Sequence, residues 1–154
     1  MTNADKDSVY RESIRKFLID ALGNSVFFDK TFIDPASFEA PPPCWFVADI
    51  GGLDAINGRF EPSLRIFCCT RQDPEQIVMS QKVDLVRAAL RDDAMPDGCR
   101  RIPAVLWNAA TEAYDTIGAM LVETKNPSDS GNMSAPDHSN YRILTYRLVW
   151  VANG

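Results

Sequence analysis

The strongest constraint on the fold is the stretch YRILTYRLVWV, residues 141–151, near the end of a 154-residue sequence. It alternates along its whole length. Ile143, Thr145, Arg147 and Val149 point to one side of an extended chain, and Leu144, Tyr146, Leu148 and Trp150 to the other. A period of two, rich in β-branched and aromatic residues, predicts a strand about twice the usual length. One of its faces is apolar and requires a core. The other carries an arginine and requires water or a partner. A strand of this kind needs a sheet around it, which excludes an all-helical fold.

The remaining segments supply that sheet and its cover. Residues 7–22 predict a helix, because Tyr10, Ile14, Phe17, Leu18 and Leu22 recur at helical spacing while Arg11, Glu12, Arg15 and Lys16 fall elsewhere on the wheel. Gly23-Asn24 suits its end. Residues 25–43 read as irregular, with a possible short strand in SVFFDKTF and a stiff surface excursion through Pro41-Pro42-Pro43. CWFVADI (44–50) reads as a buried strand broken by Gly51-Gly52. Asn57-Gly58 signals a two-residue hairpin whose second arm covers about 59–70, with Pro62 marking a bulge or an edge. A second helix follows, capped by Asp73 with Pro74 at its first position and Gln76 at its third. Met79, Val83, Val86 and Leu90 form its apolar stripe, and it ends around residue 93. Residues 101–107 and 113–124 read as extended, and 125–140 as a polar, mobile loop. The expectation is one α+β domain over 1–154. It has a mostly antiparallel sheet with two helices packed on one face, an extended hairpin and a flexible arm at 1–7.

Composition narrows the function. Apolar residues make up 45% of the chain, enough for a packed core, and the net charge is −5 with no run of Lys or Arg. That balance argues against a surface that lives by neutralising phosphates, and suits a protein that DNA passes without sticking. No stretch approaches the roughly 20 apolar residues of a membrane-spanning helix. The N-terminus MTNADKDSVYRES is polar and unlike a signal peptide, so synthesis in a reducing cytoplasm is expected. Cys44, Cys68, Cys69 and Cys99 show no C-x-x-C spacing and read as ordinary thiols. Cys68 and Cys69 are strand neighbours on opposite faces, unable to share one ion without distortion.

No reactive constellation emerges. His138 is the only histidine and lies in the polar loop, where solvation outweighs catalysis. Gly51-Gly52 lacks the further residues of a phosphate-binding loop. Asp5/Asp7 and Asp92-Asp93 suit solvation and helix ends. The expectation is therefore no catalytic residue, no cofactor and no metal, and a protein that acts through surfaces.

The order of elements adds to this. An amphipathic N-terminal helix, a P-x-W-F-V-A strand, an Asn-Gly hairpin into LRIFCCTR, the capped helix DPEQIVMSQKVDLVRAAL and the final YRILTYRLVWV resemble the tail terminator proteins of long-tailed bacteriophages over about residues 8–152. The resemblance implies a virion structural protein of the tail and neck. It would form a hexameric ring on the head-proximal end of the tail tube, stop tube polymerisation and take part in head–tail joining. Its partners would be the tail tube protein and a neck or head-connector protein, with no catalytic residues or cofactor and no membrane. Candidate positions for subunit or partner contacts are Arg142 and Arg147 on the final strand, with Asp49, Asp54, Asn57, Gly58 and Arg59 at or near the hairpin. Plain solvation is the alternative for each charge. Two other functions stay open: a different neck adaptor, such as a head-completion or stopper protein, and a small cytoplasmic α+β enzyme or ligand-binding domain.

Overall fold

A computed structural model describes residues 6–23, 25–28, 43–51, 55–56, 59–60, 63–135 and 138–152. The elements run α1 (Lys6–Leu22), β1 (Val26–Phe28), β2 (Cys44–Ile50), β3 (Ala55–Ile56), β4 (Arg59–Phe60), β5 (Ser63–Thr70), α2 (Ile77–Ala89), a 3-10 turn (Pro96–Gly98), β6 (Arg100–Asn108), β7 (Ala113–Asp129), β8 (Met133–Ser134) and β9 (Asn140–Ala152). The fold is α+β.

The main sheet has the strand order β1-β2-β5-β9-β7-β6, with β8 also paired to β9. It is mixed: β1 runs parallel to β2, and the other pairs are antiparallel. The final strand is central, with β5 along one side and β7 and β8 along the other. Its alternation predicts its burial. Leu144, Tyr146 and Leu148 lie in the largest apolar cluster, while Arg147 on the opposite face is exposed. That cluster joins Tyr10, Ile14 and Leu18 of α1 and Met79, Val83 and Val86 of α2 to strand residues that include Ile66, Ile102, Met120 and Val122. Burying each large aliphatic side chain contributes about 1.5–3 kcal/mol, so this cluster is the dominant favourable term of the fold. A second cluster, Trp45, Val47, Phe67 and Cys69, uses the other alternation of β2 and β5.

The helices begin and end for local reasons. Gly23 closes α1 with φ +81° and donates its N–H to the Ile19 carbonyl at 2.9 Å. For α2 the sequence places the start three residues early. Gln76 adopts φ 56°, a left-handed conformation that no helix interior accommodates, so the helix begins at Ile77. Asp73 still caps it, from further out: its carboxylate accepts the N–H groups of Val78 at 3.3 Å and Met79 at 2.8 Å. The helix also ends at Ala89 and not near residue 93. Phe17, expected in the core, is only partly buried at its margin.

The strands differ from expectation in two places. The arm expected over 59–70 is split: β4 pairs only with β3, as a separate ribbon, and β5 starts at Ser63. Residues 125–140, expected as a loop, hold the end of β7 and all of β8. There the β7 register slips, so that residues 124–127 face Tyr146 alone. The segments read as extended at 101–107 and 113–124 form one long hairpin. The proline-rich stretch 29–42, most of the N-terminal arm and Pro62 lie outside the described residues.

At the end of the sheet, the outer edge of β6 meets α1 instead of another strand. The Ser13 hydroxyl accepts the Val105 N–H at 2.8 Å and donates to the Val9 carbonyl at 2.6 Å. Pro103 brings no donor to the same strand. This stretch of the edge, around residues 103–105, is thereby shielded from uncontrolled strand pairing.

Candidate subunit interface

The sites anticipated from sequence separate in space. Arg142 and Arg147 stand five positions apart on β9, so they project from opposite faces of the sheet. Arg147 is opposite Ser63 on β5 and Glu123 on β7, and its guanidinium lies 3.6 Å from the Glu123 carboxylate. Asp49 is opposite Arg65 in the β2–β5 register and pairs with it. On this face the cations Arg65 and Arg147 lie on the two central strands β5 and β9, and each pairs with a carboxylate on the strand outside it, Asp49 on β2 and Glu123 on β7. Asp54, Asn57 and Gly58 lie outside the described residues. Arg59 is placed by its backbone pairing with Ile56.

Arg142 belongs to a different cluster. Its Nε donates to Asp129 Oδ1 at 2.8 Å, and Arg87 of α2 donates to Asp129 Oδ2 at 2.6 Å. One carboxylate thus joins α2, β7 and β9. The bond from Arg142 holds the Asp129 carboxyl down at about 2, against an ordinary value of 3.8. The Gly131 N–H and the charge of Arg87 act in the same direction, and burial opposes them. Nearby, burial pushes the Cys68 thiol and the Tyr146 hydroxyl each up to about 12, so Cys68 is a neutral, unreactive core group at physiological pH. Cys69 points to the opposite cluster, as the strand alternation requires.

His138 is exposed in a turn, with φ 65° and its backbone N–H on the Ala135 carbonyl at 3.0 Å. Gly51 has a steric role. It donates to the Ser63 carbonyl at 2.9 Å, and a Cβ at that position would meet the Ser63 hydroxyl at 2.8 Å. Among the described residues, no group of three or more His, Cys, Asp or Glu side chains is arranged to hold a metal ion, and no helix is long and apolar enough to cross a membrane.

The feature that sequence reasoning missed is the β6–β7 hairpin. Among the described residues, pairing of β7 with β9 runs as far as Gly118 and Ala152, and the two strands of the hairpin continue past Gly118 as a ribbon. The ribbon presents Leu106, Trp107 and Tyr114 at 43%, 48% and 39% exposure, with the two aromatic rings edge to face at 5.0 Å. The turn contains no glycine. Its signal is Asn108, whose side chain accepts the Ala110 N–H at 3.0 Å and donates to Asp115 at 2.8 Å. Tyr114 ties the ribbon back to α1 by donating to Glu12 at 2.9 Å.

No protein-family model matches the chain, and no curated protein matches it. One solved structure, named only by a sequence identifier, is similar over 96% of both chains with a TM-score of 0.55 and 11% identity. At that identity the likeness concerns the fold alone.

Proposed function

We propose that this chain is a phage tail terminator: a subunit of a ring, six in number, that seats on the head-proximal end of a tail tube. There it stops polymerisation and receives the neck or head connector. In this proposal both helices cover one face of the sheet. The ribbon and the exposed part of the other face are left for neighbouring subunits, and DNA passes through the ring without specific binding. The observation that carries the proposal is the ribbon. It extends beyond the main sheet and exposes adjacent apolar side chains, the kind of arm by which one subunit reaches the next. The element order read from the sequence supports the same conclusion.

A different neck adaptor would share this fold and ring geometry and differ only in what the ring seats on. The test is therefore electron microscopy of the purified chain, alone and mixed with tail tubes. Rings that cap one end of each tube are expected. Rings that bind only a connector would favour the stopper or head-completion role, and particles that form no ring would refute both.

A further inference from the structure

Five cations that are scattered in the sequence meet along α1. Arg11, Arg15 and Lys16 line a depression of about 610 Å³ on one side of the helix, walled by Phe28 and Tyr114. Arg100 and Arg101, at the start of β6, line a second one of about 440 Å³. The two adjoin at Lys16 and Asp20, which pair at 2.9 Å, and together they make up the groove along α1. Its aromatic lining already carries cations: Arg15 lies 5.4 Å from the Phe28 ring centre, Lys16 5.8 Å from Tyr114 and Arg100 5.4 Å from Phe17. Among the described residues, two carboxylates, Glu12 and Asp20, line the groove, which gives its described lining a balance of +3. The whole chain carries −5, so everything outside the groove sums to −8.

That asymmetry selects the occupant. A nucleic acid approaching the groove would face an otherwise acidic molecule, and the repulsion would offset much of what five cations contribute. A second copy of the same chain carries that net charge of −8 outside its own groove. We propose that the groove along α1 is a docking surface for the acidic exterior of a second copy of this chain. This inference rests on the oligomeric part of the terminator proposal. The contact is heterologous, groove against a different patch, as ring closure demands. Opposite charges at such a contact set register and speed encounter, and salt weakens them.

The test combines two measurements on the full chain. Light scattering gives the mass of the wild type and of the double variant Arg15→Glu/Arg101→Glu at about 50 mM and about 500 mM salt, a range over which screening removes most of a surface attraction. Far-ultraviolet circular dichroism checks folding, and Arg15→Gln/Arg101→Gln serves in place of the reversal if the reversal unfolds. The expected result is an assembled wild type that dissociates as salt rises, and a folded variant whose association is at least tenfold weaker at low salt. A zero-length carbodiimide is then applied to a mixture of ¹⁴N and ¹⁵N chains. It should yield mixed-isotope peptides joining Lys16 to a carboxylate of the other copy, which also identifies the acidic patch.

A folded variant that assembles like the wild type would overturn the groove proposal and leave the ring standing. A wild type that stays a single chain under all conditions would remove the ring and the groove together. Duplex DNA bound by the wild type and released by the variant, with assembly unchanged in both, would make a nucleic acid the occupant and overturn the proposal.

Discussion

The final strand β9 and the β6–β7 ribbon are both unusually long, and they do opposite things. β9 is 13 residues long and central in the sheet, with a strand on each side, and its apolar face disappears into the core. β7 is longer still, at 17 residues, but its first part leaves the main sheet with β6 and exposes its side chains. The length of β9 is therefore explained within one subunit, whereas the ribbon has no interior to serve. A long amphipathic strand in a sequence does not by itself mark a binding surface. Its place in the sheet order decides whether the length serves the core or the exterior.

The sharpest way to break this contrast is to truncate β9. Leu148→Ala should cost ~2–5 kcal/mol, because Leu148 is fully buried and the cavity it leaves can collapse only in part. Denaturant unfolding would measure the loss, and a cost below about 1 kcal/mol would mean that β9 is not a core strand. Next comes the joint between the ribbon and the body. Ser13→Ala leaves the Val105 N–H without its acceptor at a buried position and should cost ~1–3 kcal/mol. Hydrogen exchange should accelerate at Val105 before it does at Leu144, and uniform acceleration along both strands would contradict a separately anchored ribbon.

A smaller effect appears in acid. The folded Asp129 carboxyl lies at about 2, below its ordinary 3.8. Its contribution is thus complete above about pH 4 and lost as the pH falls from there toward 2. Solvent screening holds it to roughly 1 kcal/mol. Asp129→Asn should remove that part of the acid dependence and leave the rest of the unfolding profile intact. A variant profile parallel to the wild type across pH 2–4 would show that the Arg87–Asp129–Arg142 cluster does not tie α2 to β9. The smallest expected change in stability is that of Arg147→Glu. The arginine side chain is half-exposed and faces Glu123, so reversal should cost ~0–1 kcal/mol of folding. In the ring that we propose, the same reversal weakens closure. Unfolding by urea and particle mass by light scattering separate the two effects, and a variant that unfolds readily yet still closes rings would invert the assignment.

Much of the body was legible because local signals and tertiary packing agree there. The helical spacing of Tyr10, Ile14 and Leu18, the glycine after α1 and the alternation of β9 each have one physical solution, and the structure adopts it. Asp73 was legible as a cap but not in its offset, since nothing in the residue Gln76 announces a left-handed backbone. The ribbon was hidden because its turn relies on an Asn108 side chain instead of a glycine. The groove along α1 was hidden for another reason: Arg11 and Arg15 stand some ninety positions from Arg100 and Arg101. A search for runs of Lys or Arg finds nothing, because the packing of α1 against β6 brings the two groups together. The partners of the charges anticipated at a subunit contact were also not announced by the sequence. Arg142, Arg147 and Asp49 each meet an opposite charge on a neighbouring strand or hairpin of their own subunit.

The most direct test of the terminator proposal removes the protein from assembly. Particles from a phage genome carrying an in-frame deletion of this coding sequence should be scored by electron microscopy for tail length and for tails joined to heads. The expected result is tails of abnormal and variable length with few joined to filled heads, restored when the protein is supplied in trans. Tails of normal length joined normally to heads in its absence would contradict the proposal.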